Sequence, residues 1–362
     1  QRPRAGQTDE VLIPDPNAVL GNPAAGYLRS QTLKADGRFP NTDPDDHWWI
    51  PSGRTFYSPN AAVDAVAERN EARLHFFLAR RFRDAFGNDG TVRFDNHDLL
   101  MVETLDAVGN LTSVGERRAD GTIDPARPGN DYRVLQPVLV SDANRNRQQA
   151  VFDARGMIVG TAMMGKAEEN QSDSLDGFSV ELSEAVMLDH LTNPLADPNA
   201  VLNRATTRLI YDVFAYHRTR DLPNPQPPVT YALARETQNA DLVGNAVSRI
   251  QHNYVYSDGF GREIQKKFQA EPETINNAPG PPRWVGSGWT IYNNKGKPVR
   301  QFEPFFSATH RFEFGAAAGV SPIVFYDPLD RVVAILHPNH TYEKVLFDPW
   351  RQIIWDVNDT IA

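Results

Sequence analysis

Apolar and polar positions alternate in short bursts over most of this chain. The bursts include TVRFD (91–95), LLMVETLD (99–106), QPVLVSD (136–142), AVFD (150–153), TRLIYD (207–212) and HNYVYSDG (252–259). GWTIYNN (288–294), SPIVFYD (321–327), RVVAILHP (331–338) and EKVLFD (343–348) continue the series. Val, Ile, Tyr, Phe and Thr dominate, and each burst ends on Asp, Asn, Gly or Pro, which predicts strands joined by tight turns. Helical texture is confined to a few places. Residues 61–80 are rich in helix formers and predict a short helix with Asn60 as a possible cap, although the later part, LHFFLARRF, can also be read as a strand. Residues 179–206 predict two short helices, with Ser179 or Ser183 capping the first and Asp197-Pro198 opening the second. The Pro-rich stretch 221–230 predicts an extended bridge, and 271–283 a loop. Residues 1–60 predict a loop-rich segment whose aromatic group, Trp48, Trp49, Phe56 and Tyr57, must pack on a larger body. The expected organisation is therefore a 1–60 segment lying on a 61–362 β-region, with a helical and Pro-rich insertion at about 179–230.

A degenerate unit recurs at the strand ends. It is stated by Asp84-Ala-Phe-Gly87-Asn88, Asp106-Ala-Val-Gly109-Asn110, Asp153-Ala-Arg-Gly156 and Asp258-Gly-Phe-Gly261-Arg262. It returns in Tyr292-Asn293-Asn-Lys-Gly296-Lys297, Tyr326-Asp327-Pro-Leu-Asp330-Arg331 and Phe347-Asp348-Pro-Trp350-Arg351. Asp84, Asp95 and Asp106 are 11 residues apart, as are Asp142 and Asp153, and Asp327 and Asp348 are 21 apart. One unit is a strand plus a turn. Asp opens a turn because its carboxylate accepts from nearby backbone N–H groups, and Gly at the fourth position takes positive φ without steric cost. The residues expected to carry these turns and their stacking are Asp84, Gly87, Asp106, Gly109, Asp258, Gly261, Tyr292, Gly296, Tyr326, Asp327, Phe347, Asp348 and Trp350. Hairpins in series predict a mainly β fold: a long antiparallel sheet that curls or spirals, with minor short helices.

The aromatic-Asp-x-x-Gly-Arg unit resembles the YD (Rhs) repeat of bacterial polymorphic toxins and teneurins. Longer strings, among them DYRVLQPVLVSDANRN, RATTRLIYDVFAYHRTRD and FYDPLDRVVAILHPNHTYEKVLFDPWRQIIWDVNDT, are similar to the central region of the B component of bacterial insecticidal toxin complexes, related to virulence proteins of the SpvB type. The resemblance runs from about residue 44 to the end. It implies a shell segment that helps enclose a toxic C-terminal cargo. The implied partners are the remainder of the parent polypeptide, a C-type Rhs partner and the cargo, in a toxin complex released from a bacterium. Propeller blades and the Rhs-core closing motif are not evident, so no protease activity is carried over. Gly is replaced at Ala215, Asp330 and Arg351, which requires other turn geometry there.

Composition narrows the chemistry. The 362 residues include 37 basic and 46 acidic groups, a formal charge of −9 that argues against a nucleic-acid partner. The absence of Cys excludes disulfides, thiolate metal sites and a Cys nucleophile. No apolar run is long enough for a membrane-spanning helix. The chain opens on Gln1, which reads as part of a longer polypeptide. His337 and His340, with Glu343, form a weak metal-ligand candidate, and HPNHT reads better as a turn. Asp45, Asp46 and His47 beside Trp48 and Trp49 resemble a glycan-acting cluster, for which a packed aromatic anchor is the favoured reading. No nucleophile elbow, P-loop or dinucleotide fingerprint is present. The expectation is a shell segment with no catalysis and no cofactor. A polysaccharide hydrolase or lyase and an extracellular adhesion module are the alternatives.

Overall fold

The computed structural model describes residues 13–360 other than 51, 119, 121, 128, 170, 171, 245 and 277. The chain divides into two compact units, 1–147 and 148–362.

In the first unit, the strands Gly53–Phe56, Arg81–Asp84, Asp89–Phe94, Met101–Leu105, Leu111–Val114 and Leu139–Ser141 lie side by side in that order. All five pairings between them are antiparallel. The helix Ala65–Leu74 is capped by Asp64, whose carboxylate accepts from Val66 N (3.0 Å) and Ala67 N (2.8 Å). The expected cap, Asn60, instead accepts from Ala62 N (3.0 Å) in the preceding turn. Trp48–Trp49 pairs with Leu28–Arg29, and the Trp49 ring packs edge-on against Phe39 at 5.0 Å.

The second unit holds the larger core. The strands Arg147–Phe152, Ile158–Met164, Thr207–Asp212, Val229–Arg235, Ile250–Ser257, Glu263–Ala270, Arg283–Gly286 and Phe305–Ser307 follow one another across a sheet. Strict alternation puts Tyr231 and Leu233 inward on one strand, and Ile250, His252, Tyr254 and Tyr256 inward on the next. These residues join Ala162, Val201, Leu202, Ala205, Ile210, Trp284 and Phe312 in one core. The helix Glu184–Thr192, capped by Ser183, and the helix Pro198–Leu202, capped by Asp197, belong to the same unit, and Leu202 is fully buried.

The fold is mainly β with several antiparallel sheets and short helices. The expectation of one curled or spiral sheet is not met. Among the described residues each strand order is open, and no first strand pairs with a last. The late repeats also leave the large sheet. Thr290–Tyr292 pairs only with Pro298–Gln301, while Ile323–Tyr326, Val332–Leu336, Tyr342–Phe347 and Gln352–Trp355 form a separate four-stranded meander. Curling a single ladder requires continuous pairing. Here the non-strand stretch 308–322 interrupts it, and register shifts at Ile291/Tyr292 and Phe325/Tyr326 bend the short strands locally.

Candidate functional site

Two features stand out among the described residues: a row of turns, and a buried polar cluster under a strap of irregular chain.

The turns share one hydrogen-bond plan. In the Asp84 turn, one carboxylate oxygen accepts from Phe86 N and Asn88 N, both at 2.8 Å, and the other from Asn88 Nδ2 at 2.9 Å. Gly87, at φ 90°, donates its N–H to Asp84 O (3.2 Å). Asp106 accepts from Val108 N (3.0 Å) and Asn110 N (2.8 Å), with Gly109 at φ 91°. Asp258 accepts from Phe260 N (2.8 Å), Arg262 N (3.0 Å) and Arg262 Nε (2.6 Å). Asn293 and Asp327 repeat the plan toward Lys297 and Arg331. The amide of Asn88, on side chain and backbone, holds the Asp84 carboxyl below the usual range, and the Asn110 backbone N–H does the same for Asp106. For Asp258, burial works upward, and the Arg262 side chain and backbone outweigh it.

Where Gly is missing, the backbone answers in three ways. Asp330 adopts φ 63° itself. The Asp348 turn is one residue shorter, its N–H donating to Arg351 O (2.9 Å). Ala215 begins a helix, Ala215–Thr219. His337 and His340 occupy the first and fourth positions of another turn, with His340 at φ 70° and its N–H on His337 O (3.0 Å). His337 Nε2 meets Glu343 Oε1 at 3.1 Å, and no group of three His, Asp or Glu side chains suited to a metal occurs among the described residues.

In the second unit, three tyrosines that each precede a turn-opening Asp or Asn brace an earlier turn. Tyr211 OH donates to Ile158 O (2.8 Å), Tyr292 OH to Glu263 O (2.6 Å) and Tyr326 OH to Pro298 O (2.9 Å). Each accepting carbonyl lies five residues after the Asp or Asn that opens the preceding turn, at 153, 258 and 293. Phe347 lacks a hydroxyl, and the Arg331 guanidinium lies over its ring at 4.2 Å instead. Arg262 lies over Tyr292 at 4.8 Å in the same sense. The aromatic and the Arg of the repeat, expected near each other across one hairpin, here also meet from one repeat to the next. Trp350, at the tip of its turn, is 93% exposed.

The buried cluster was missed in the sequence, although alternation signals it. Continuing the inward face of Glu263–Ala270 places Gln265 and Lys267 inside, and both are fully buried. Lys267 pairs with Glu313 and donates to Thr309 O (3.3 Å), with the Phe305 ring 4.7 Å away. The strap 309–314 is held by side chains. Tyr256 OH donates to His310 O (2.8 Å). Gln265 donates to Glu313 O (3.3 Å) and accepts from Glu313 N (3.0 Å). Gln226 clasps Phe312 in the same way. Tyr231 and Tyr254 stack at 4.3 Å, and Tyr254 meets Trp284 edge-on at 5.7 Å. Burial pulls His252 down to about 4, with neighbouring His310 adding to the shift, and burial lowers His310 and Lys267 as well. A cavity of about 170 Å³ adjoins the cluster, lined by Tyr254, Tyr256, His310, Arg311, Asp212 and Arg218 among others. The groups are fixed by one another rather than aimed into open space.

Asp45, Asp46 and His47 are exposed and do not converge. Asp45 is paired with Lys34, His47 accepts from Ser30 N through its backbone carbonyl (2.9 Å), and its ring lies 6.4 Å from Trp49.

No family model matches the chain, and no curated protein matches it. Solved structures do. A crystal structure of TcdB2-TccC3 matches at 22% identity with a TM-score of 0.61, over 96% of this chain and 15% of that one. TcdB2-TccC3 without its hypervariable C-terminal region matches at 21% and 0.63, over 96% and 17%. A TcdB2-TccC3-Cdc42 structure matches at 20% and 0.61, over 96% and 18%. Over nearly its whole length this chain therefore has the fold of one stretch of TcdB2-TccC3, and it spans less than a fifth of those chains.

Proposed function

We propose that this chain is an encapsulation segment of a toxin-complex B-like protein and performs no chemistry of its own. The observation that carries the reading is the fold shared with TcdB2-TccC3 over 96% of the chain. The braced row of turns supports it. A wall needs many short strands locked in register, and each Tyr-to-carbonyl brace locks one turn to its neighbour. The partners in this reading are the adjoining parts of a longer polypeptide and a C-type Rhs protein bearing a toxic cargo, and the assembly acts after release from a bacterium. The test is protease protection of the cargo in an assembly reconstituted from the polypeptide carrying this chain and its C-type partner. The cargo resists digestion when this stretch is intact and is cleaved when Tyr292→Phe and Tyr326→Phe are combined with Gly261→Val. Equal protection in both would reject a wall role.

A further inference from the structure

The strap 309–314 has committed its backbone. Thr309 O, His310 O, Phe312 N and O, and Glu313 N and O are taken by the side chains of Lys267, Tyr256, Gln226 and Gln265. His310 and Phe312 turn inward, the first onto Leu191 O and the second into the core, and Glu313 is engaged by Lys267. Two side chains are left over. Arg311 is exposed, and no carboxylate is paired with it among the described residues. By contrast, Arg262, Arg331 and Arg351 are each paired with the Asp of their own turn. Phe314 is 81% exposed, although its ring is steadied 4.9 Å from Trp289. A cleft of about 690 Å³ runs beside them, lined on the strap side by Arg311 and Phe314 and on the other by Pro223, Asn224 and Pro225, all exposed.

We propose that this cleft binds an acidic peptide: one Glu or Asp carboxylate on the Arg311 guanidinium, with the apolar residues beside it against Phe314 and the two prolines. Charge selects the ligand. Lys267 neutralises Glu313, Arg220 lies 3.6 Å from Asp221 at the head of the proline wall, and across the smaller adjoining cavity Asp212 is paired with Arg218. Arg311 therefore leaves the cleft with an excess positive charge in a chain whose formal charge is −9. A guanidinium matches a carboxylate through two parallel N–H···O bonds. A lone Arg on an acidic chain does not suit a polyphosphate ligand, which needs several cations. The volume lies inside the range of about 300–1,000 Å³ usual for ligand clefts, and a single small acid would leave most of it open. Because the strap is already held by its backbone bonds, little ordering is left to be lost on binding.

The experiment is calorimetric titration of the full chain with acetyl-Pro-Phe-Glu-Leu-amide, its isostere acetyl-Pro-Phe-Gln-Leu-amide and 3-phenylpropionate, each at low and high salt. The Glu peptide is expected to bind about fivefold more tightly than the Gln peptide, the margin of one partly exposed ion pair, and to lose that margin at high salt. Arg311→Gln should abolish the discrimination while leaving the affinity for the Gln peptide unchanged, and Phe314→Ser should weaken both peptides alike. Both side chains are exposed, so the fold should be retained, which unchanged hydrogen exchange of Glu263–Ala270 checks. Equal binding of the two peptides by the unaltered chain, or discrimination that survives Arg311→Gln, overturns the site. So does 3-phenylpropionate binding as tightly as the Glu peptide, which would make the cleft a site for small acids. Absence of saturable binding up to about 5 mM peptide overturns it as well.

Discussion

Lys267 and Glu313 make an ion pair with unequal partners, and that inequality is measurable. The lysine is fully buried, whereas the Glu313 side chain is 39% exposed. Removing one member of a buried pair costs about 3–5 kcal/mol when it strands the other charge. Glu313→Gln strands the lysine, which keeps only neutral acceptors, Thr309 O and the new amide oxygen, in place of a carboxylate. Because solvent screens the exposed carboxylate, the expected cost is reduced to about 2–3 kcal/mol. Lys267→Met removes the charge and leaves an apolar stem of similar volume against Phe305, while Glu313 turns to water. Replacing a buried charge by a well-packed apolar side chain is often neutral, so a change within about 1 kcal/mol is expected. Two compact units make a global melt ambiguous. The assay is therefore urea unfolding followed by fluorescence of Trp284, which is buried in the same core, beside hydrogen exchange of Glu263–Ala270. Trp-to-Phe replacement of the other five tryptophans isolates that signal. If Lys267→Met proves as costly as Glu313→Gln, the lysine contributes through attraction rather than residing at a desolvation cost, and the reasoning fails.

Other outcomes follow from the turns and braces. Gly261 has open space around its Cβ position and φ 77°, so Gly261→Val should cost about 1–2 kcal/mol from backbone strain alone in urea titrations. Gly288→Ala should cost more, since its Cβ would collide with the Phe302 carbonyl. His340→Gly relieves a left-handed residue with an exposed side chain and should stabilise the meander by about 1 kcal/mol, read as slower exchange in Tyr342–Phe347. Tyr292→Phe and Tyr326→Phe should each cost about 1 kcal/mol by the same titrations. Asp84 and Asp106 are depressed in the folded state, so their stabilising effect is present above about pH 4 and is lost as pH falls further. Exchange of the 84–110 peptides should therefore rise only below that point.

The turns were legible because their chemistry is local. Asp, Gly and the polar residue after it state a hairpin within five positions, and even His337-Pro-Asn-His340-Thr341 could be recognised as one. The arrangement of the hairpins was not legible. Whether Phe305–Ser307 closes the large sheet, and whether Ile323–Tyr326 starts a new one, depends on the irregular stretch between them, and residue propensity does not say where that stretch docks. The expected curled sheet failed for that reason. The core cluster lay between these cases. Alternation in HNYVYSDG gave the aromatic face, but Lys267 inside the sheet is decided by register with Tyr254 and by Glu313, 46 residues away. At Asp45, Asp46 and His47 adjacency in sequence carries less: Asp45 pairs with Lys34, and the His47 ring lies beside Trp49.

The central claim concerns where this chain sits in a larger assembly. The direct measurement is a cryo-EM map of the assembled polypeptide and its C-type partner, with the turns at 258, 293 and 327 traced. The account predicts this stretch in the wall, with one sheet face turned to an enclosed, cargo-filled volume. A map that leaves both faces in solvent, with the cargo elsewhere, would contradict it.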